Sequence, residues 1–207
     1  MDCLRIARLV FFVPLFTAST LFSSVSSGDA APNFAANDIN GQEIALETYR
    51  GKIVVLEWTA PRCPYVIKHY SGSVGNLSSM QLRWTPPFGD VIWIMIDSTS
   101  PDEERHLSPE GWKAQLVQWG AHPTALILDE EAQIALEYGV QRVPEVFIID
   151  KGGDVVYRGA IDSLRGTDPR EVEEENNLAW LKNALENAVQ GRCVTPSETI
   201  PYGCPIR

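Results

Sequence analysis

The sequence predicts an α/β fold, with a central mixed sheet, helices on both faces and an N-terminal β-hairpin. Three observations predict it. Apolar, β-branched runs of strand length recur at 53–58, 91–96 and 124–128. Helix-like segments separate those runs, and strands alternating with helices imply a mostly parallel sheet covered on both sides. Two further runs, 146–149 and 155–157, flank Asp150-Lys151-Gly152-Gly153, a hairpin loop that finishes the sheet with an antiparallel pair.

Residues 1–30 read as a secretory leader. Arg5 and Arg8 make a small positive start, 9–22 is mostly apolar, and 23–30 is small and polar. The apolar run is too short to span a bilayer comfortably, which takes about 20 residues. A cut after Ala30, with Gly28 at the −3 position, fits the small-residue rule, and a cut a few residues earlier in the serine-rich stretch fits nearly as well. The expected organisation is therefore a leader over 1–30, one domain over 31–190 and a C-terminal tail over 191–207. The protein is expected to be exported, to the periplasm or the extracellular space.

Along the domain, Ala31-Pro32-Asn33-Phe34 leads into two short segments joined at Asn40-Gly41, a dipeptide suited to a tight hairpin turn. The run 53–58 opens after Gly51-Lys52, closes before Pro61, and has the apolar character of a central strand buried on both faces. A helix can begin at Pro64, since proline is tolerated in a first turn, and it runs past His69 until Gly72 and Gly75 weaken it. The stretch 71–88 carries no clear signal. The run 91–96 is a second buried strand ending at Asp97. Ser108-Pro109-Glu110 starts a helix with Trp112, Leu116 and Trp119 at helical spacing. A strand over 124–128, a short acidic-to-apolar helix over 130–138 and the terminal hairpin follow. The last helix is expected over 173–189, with Leu178, Leu181, Leu185 and Val189 on one face and an acidic opening turn.

The formal charge is −10. The leader holds two acids (Asp2, Asp29) and two bases (Arg5, Arg8), so the remaining chain keeps all of it. No basic stripe offsets this charge. Nucleic acid is therefore an unsuitable partner, as is an anionic membrane surface once the leader is gone. Of four cysteines, Cys3 belongs to the leader, and Cys63, Cys193 and Cys204 would enter an oxidising compartment. Three is odd, so at least one thiol is free, bonded elsewhere, or exchanged during a cycle. His69, His106 and His122 are too scattered for metal-ligand spacing, and no cofactor or metal is expected.

Cys63 falls between a buried strand and a helix start, where unpaired N–H groups and the helix dipole favour a thiolate. A buried cysteine acting as a small hydrophobe is the alternative. The position, with Trp58 upstream and Pro64 after it, favours a reactive thiol.

The residues around Cys63 resemble a known family. Trp58-Thr59-Ala60-Pro61-Arg62-Cys63-Pro64-Tyr65-Val66 with Lys68-His69-Tyr70 is similar to the active-site segment of the redoxin group. That group includes the alkyl hydroperoxide reductase and thiol-specific antioxidant proteins and exported thioredoxin-like reductases. The resemblance continues through Tyr138-Gly139-Val140, the segment from Val143-Pro144-Glu145 to Asp150, the segment from Tyr157 to Asp162, and Pro201-Tyr202-Gly203-Cys204-Pro205. It implies a thioredoxin-like fold, a cis peptide before Pro144 facing the active cysteine, and substrate contacts from Trp58, Pro64, Tyr65, Val143 and Pro144. Peroxiredoxin-like proteins with a Cys-Pro-Tyr-Val site and a Tyr-Gly-Cys tail match best.

Two departures matter. A second cysteine three residues after the first would sit at Val66, so ordinary Cys-x-x-Cys exchange is excluded. The proline, threonine and arginine that serve a peroxiredoxin are replaced by Leu56, Ala60 and Pro144, which counts against efficient peroxide reduction. Cys204, in a tail broken by Pro196, Pro201, Gly203 and Pro205, can fold back to resolve Cys63. A structural Cys193–Cys204 bridge competes with that pairing, and geometry decides between them.

The expected function is that of an exported thiol-dependent oxidoreductase. Cys63 attacks a disulfide-bearing protein or a small peroxide, Cys204 resolves, and an external thiol is the reductant. A hydroperoxide-reducing antioxidant is one rival. A redox-inert module holding a peptide in the groove of Cys63, Pro144 and Trp58 is another. His69, six positions beyond Cys63, reads as a polar helix face, and Trp84 as a core residue rather than a groove residue.

Overall fold

A computed structural model describes residues 24–71, 76–174 and 176–206. Near its start, β1 (Ala35–Asn37) and β2 (Glu43–Ala45) form the expected antiparallel hairpin around Asn40-Gly41. The Asp38 carboxylate secures that turn by accepting from the amides of Asn40 and Gln42, each at 2.8 Å. A 3-10 turn (Leu46–Tyr49) leads to β3 (Val54–Thr59), α1 (Pro64–Tyr70), α2 (Asn76–Trp84), β4 (Ile92–Asp97), α3 (Pro109–Trp119), β5 (Ala125–Leu128) and α4 (Gln133–Tyr138). Next come β6 (Arg142–Val143), β7 (Glu145–Ile149), β8 (Val155–Gly159), a second 3-10 turn (Pro169–Glu173), α5 (Trp180–Val189) and β9 (Cys204–Pro205).

The main sheet has the order β5-β4-β3-β7-β8. β3 runs parallel to β4 and antiparallel to β7; β4 and β5 are parallel, and β7 and β8 antiparallel. Every residue of β3 and β4 is buried, as expected of the central strands. The mixed sheet, the helices and the N-terminal hairpin agree with the predicted fold class.

Two helices differ from their expected bounds for local reasons, and a third has no counterpart in the sequence signal. Within the illegible stretch lies α2. α4 begins at Gln133 instead of residue 130, because Ala132 takes a left-handed φ of 53° and the Asp129 carboxylate caps the amides of Ile134 and Ala135. α5 begins at Trp180 instead of residue 173. The chain turns out of the 3-10 turn at Glu174 (φ −66°, ψ 137°), and the Asn177 side chain fastens the detour by donating to the carbonyls of Glu171 and Val172. Leu178 therefore precedes the helix and is 56 % exposed, whereas Leu181 and Leu185 are buried as the periodicity requires.

Both ends of the described chain lie on the sheet. Gly28 donates to the Val155 carbonyl at 2.7 Å, Val155 donates back to Asp29 at 2.8 Å, and Ala31 donates to Gly153 at 3.0 Å. Val25 is buried, and Arg158 donates to its carbonyl at 2.6 Å. Residues 24–30, expected in the leader, are thus packed into the folded body, while 1–23 lie outside the described residues. At the other end, Arg158 donates to Ser197 and accepts from Thr199, each at 3.0 Å, so the tail runs along the outer edge of β8. Across the sheet, Ile39 donates to Leu126 at 2.9 Å and Asp38 bridges to Ile127, which covers β5. No helix among the described residues is long and apolar enough to cross a membrane.

Candidate redox site

β3 delivers the chain to Cys63, the N-cap of α1, with Pro64 in the first helical turn. The Cys63 carbonyl accepts from Val66 and Ile67 at 3.0 and 2.9 Å, which fixes its backbone at the helix start. Its sulfur is bonded to Cys204, 141 residues further on, with the two Cα atoms 6.0 Å apart. Cys193 is free and exposed. The two pairings left open by the sequence are thereby resolved in favour of Cys63–Cys204.

The strand facing the disulfide is β6. The Val143 carbonyl lies 3.5 Å from Cys63 Sγ, and the Val143–Pro144 peptide is cis, as the resemblance implied. β9 pairs antiparallel with β6 in a register that sets Cys204 opposite Val143 and Pro205 opposite Arg142. Ile206 continues the pairing by donating to Gln141 at 3.0 Å. The close approach depends on Gly203, whose φ is +128° and whose missing Cβ would stand 2.0 Å from the Val143 carbonyl oxygen.

The five residues expected to touch a substrate are not equally placed. Pro64 is exposed and Tyr65 half-buried, flanking Cys63 at the surface. Val143 and Pro144 are buried beneath the tail, and Cys63 itself is only 1 % exposed. Trp58 lies deeper. It is fully buried, packed on Tyr138 and Phe147 with ring centroids 5.2 and 5.4 Å away, because its place in the central strand turns its side chain into the core. On the open side of the disulfide, Arg62, Glu103, Glu104 and Arg105 surround Cys204 and Pro205.

A buried polar network supports the tail. Lys68, on α1, has no exposed side-chain surface and reaches Asp162 at 3.4 Å, Glu171 at 3.3 Å and the Leu164 carbonyl. The Tyr202 hydroxyl donates to the same Asp162 carboxylate, and its ring lies under the Lys68 ammonium, 5.1 Å from centroid to nitrogen. That ring also meets Tyr65 in an edge arrangement, with centroids 6.0 Å apart. Burial and the neighbouring Asp162 hold the Tyr202 hydroxyl far above its ordinary pKa, so it stays a donor.

A second network lies behind β3. Glu57 is fully buried and accepts from the Tyr70 hydroxyl at 2.7 Å, Trp93 Nε1 at 2.8 Å and Gln81 Nε2 at 3.3 Å. Burial raises its pKa to about 7 despite those donors. His69, expected on a polar helix face, is instead fully buried, with both ring nitrogens unpartnered. Burial, and then the Lys68 charge beside it, lower its pKa to about 3, so it is neutral. The reading failed because three successive residues in the last turn of α1, Lys68, His69 and Tyr70, are all buried, which leaves that turn no polar face. Lys68, Asp162, Glu171 and Glu57 were not foreseen as site residues. Lys68, Asp162 and Tyr202 were visible only as members of the family-like segments.

The sequence profile of the AhpC/TSA family matches residues 27–158, a region that includes Cys63 and ends before the Cys204 tail. The thiol-disulfide oxidoreductase ResA of Bacillus thuringiensis subsp. konkukian is 26% identical over 148 residues, covering 72% of this chain and 75% of that protein. Among solved structures, a conserved protein from Geobacillus kaustophilus superposes with a TM-score of 0.73 at 23% identity, over 91% of this chain and 93% of that one. The thioredoxin domain of a thiol-disulfide oxidoreductase from Bacteroides vulgatus gives 0.52 at 18% identity, over 72% and 97%. The two structural likenesses speak for the fold.

Proposed function

This chain belongs to the AhpC/TSA family, and from that membership we propose that it is a thiol-dependent oxidoreductase with Cys63 and Cys204 as its redox pair. The observation that carries the proposal is the Cys63–Cys204 bond at a helix start beside the Val143–Pro144 strand. The relatives named thiol-disulfide oxidoreductases support the reaction class.

In the proposed cycle, the Cys63 thiolate, favoured at the N-terminus of α1, attacks one sulfur of a substrate disulfide and expels the other as a thiolate. The Cys204 thiolate then attacks Cys63 in the mixed disulfide and releases the second substrate thiol. The substrate disulfide gains two electrons and two protons, and Cys63–Cys204 is left oxidised. Two equivalents of an external thiol return it to the dithiol. Pro64 and Tyr65 flank the incoming substrate. Val143 and Pro144 become available to it when the tail moves. The substrate is a disulfide-bearing protein rather than a peroxide, because Leu56 and Ala60 are buried and bring no polar group to Cys63.

The leader-like pattern of residues 1–30 supports export to the periplasm or extracellular space. The packing of residues 24–30 favours a cut upstream of Ser24 over one after Ala30. The exported body would then run from about residue 24, with the tail over 191–207.

Reduced protein mixed with a disulfide-bonded peptide, and separately with hydrogen peroxide, tests this reading. The peptide is expected to be reduced as the Cys63–Cys204 bond appears in mass maps. Cys63→Ser should be inactive, and Cys204→Ser should stop at a Cys63 mixed disulfide. Faster turnover of peroxide than of the peptide would reassign the protein as a peroxidase. No turnover of either would overturn the proposal.

A further inference from the structure

The Cys63–Cys204 bond is not the sole attachment of the tail. Working backwards from β9, Cys204 follows Gly203 and Tyr202, then the exposed Ile200, then Thr199, whose hydroxyl accepts from the Ala160 amide at 2.9 Å and meets the Tyr157 hydroxyl at 2.7 Å. Thr199 fixes the tail five positions before its thiol. Between that anchor and Cys204, one side chain is driven into the body: Tyr202, 7 % exposed. β9 itself is only two residues long, and a ladder that short holds little by itself.

Tyr202 and Tyr65 form a second clasp parallel to the disulfide. Tyr65 stands two positions after Cys63, and Tyr202 two positions before Cys204. Beneath this pair lies an ionic floor that Tyr202 completes: Lys68 between Asp162 and Glu171, with the phenol donating to Asp162. Hydrogen bonds to a charged acceptor in a buried site are among the stronger ones.

We propose that Tyr202 is a positioning residue, which keeps Cys204 seated beside Cys63 after their bond is reduced. This rests on the redox reading given above. A thiol already docked next to its partner forms the disulfide at a high effective concentration, whereas a thiol on a loose tail must first pay for docking. Losing the Tyr202 clasp converts the reduced protein from tail-docked to tail-loose. The oxidised protein, in which the covalent bond holds the tail in place, loses the clasp contact in full.

The test equilibrates wild type and Tyr202→Phe against glutathione and its disulfide at fixed pH, counting Cys63–Cys204 by alkylation and mass mapping. Two glutathione thiols are consumed for each bond opened, and one glutathione disulfide forms. The variant is expected to lie about tenfold further toward the dithiol, equivalent to about 30 mV, because the oxidised protein bears the whole loss of the clasp and the loosened reduced protein only part of it. An unchanged ratio overturns the proposal. A second measurement needs no variant: hydrogen exchange at the Ile206 amide, the donor to Gln141, in reduced wild type. Protection there is expected, and exchange at the rate of an unstructured amide overturns the clasp. Neither readout needs turnover, so failure of the oxidoreductase assignment and failure of the clasp are told apart.

Discussion

Gly203 stands so close to Val143 that a Cβ on it would lie 2.0 Å from the Val143 carbonyl oxygen, the oxygen that also lies 3.5 Å from Cys63 Sγ. The same carbonyl thus meets the active sulfur on one side and the tail backbone on the other.

Gly203→Ala should therefore act on the disulfide before it acts on the fold. The substitution places a side chain at φ +128°, a backbone region open mainly to glycine, and a clash with rigid backbone adds to a cost of order 1–3 kcal/mol. The tail has to back away from β6. Mass mapping in a fixed glutathione buffer is expected to show Cys63–Cys204 depleted by tenfold or more relative to wild type, with far-ultraviolet circular dichroism unchanged. Equal occupancy of the bond would show that the tail has another route to Cys63.

Cys193→Ser should change nothing at the redox site. Cys193 is exposed and carries no bond. Peptide-disulfide reduction by the variant is expected within a factor of about two of wild type. A large fall in turnover would mean that Cys193 enters the cycle.

Glu57 makes stability depend on pH in an unusual direction for a carboxylate. Its folded pKa is raised to about 7 from an ordinary value near 4.5, so its contribution is complete below the unfolded value and is lost as pH rises through the folded one. Between about 4.5 and 7 the native state binds more protons, and stability falls with rising pH, by an amount of order 3 kcal/mol. Urea melts from pH 4.5 to 8 should show wild type losing stability relative to Glu57→Gln, which keeps an acceptor, until about pH 7. A variant with the wild-type slope would move the titration elsewhere.

His69 works on the acid side. Its folded pKa is lowered to about 3 from 6.5, so its contribution is present above the unfolded value and is lost as pH falls. The slope approaches roughly 1.4 kcal/mol per pH unit between those values. It opposes the Glu57 slope from about 4.5 to 6.5, where the two nearly cancel. Below 4.5 the opposing Glu57 slope is gone, and His69→Leu should hold its melting temperature there better than wild type in a calorimetric pH series. Identical acid limbs would contradict the buried neutral histidine.

Which parts of the molecule were legible follows from the range of the interactions. The runs at β3 and β4 gave central strands because both faces are buried, so no alternation interrupts them. Ser108-Pro109-Glu110 marked α3, and the Ser108 hydroxyl accepts from the Gly111 amide at 3.2 Å as a cap should. Asn40-Gly41 marked the first hairpin. All of these are decided within a few residues. The start of α5 depends on Asn177 reaching Glu171 and Val172, a side-chain contact that periodicity cannot register. At the site, Cys63 and Pro144 were readable from local position and family likeness. The partnership of Lys68 with Asp162, 94 residues apart, exists only once α1 and the end of β8 have come together, and that of Tyr202 with Asp162, 40 apart, only once the tail has folded back as well. The depth of Trp58 has the same origin, since sequence gives its strand but not which face of the sheet looks onto the groove.

The two chain ends that lie along β8, and the hairpin that lies along β5, leave the main sheet without a long bare margin. An uncovered strand margin is a template on which another chain can add itself and begin an aggregate. The segment carrying Cys204 therefore also guards against association. Its Ser197 and Thr199 contacts with Arg158 have to survive each redox cycle if the protein is to remain dispersed. A cycle that moves the tail is confined to the stretch beyond Thr199, which sets how far the tail thiol can travel: five residues of chain, at most about 18 Å.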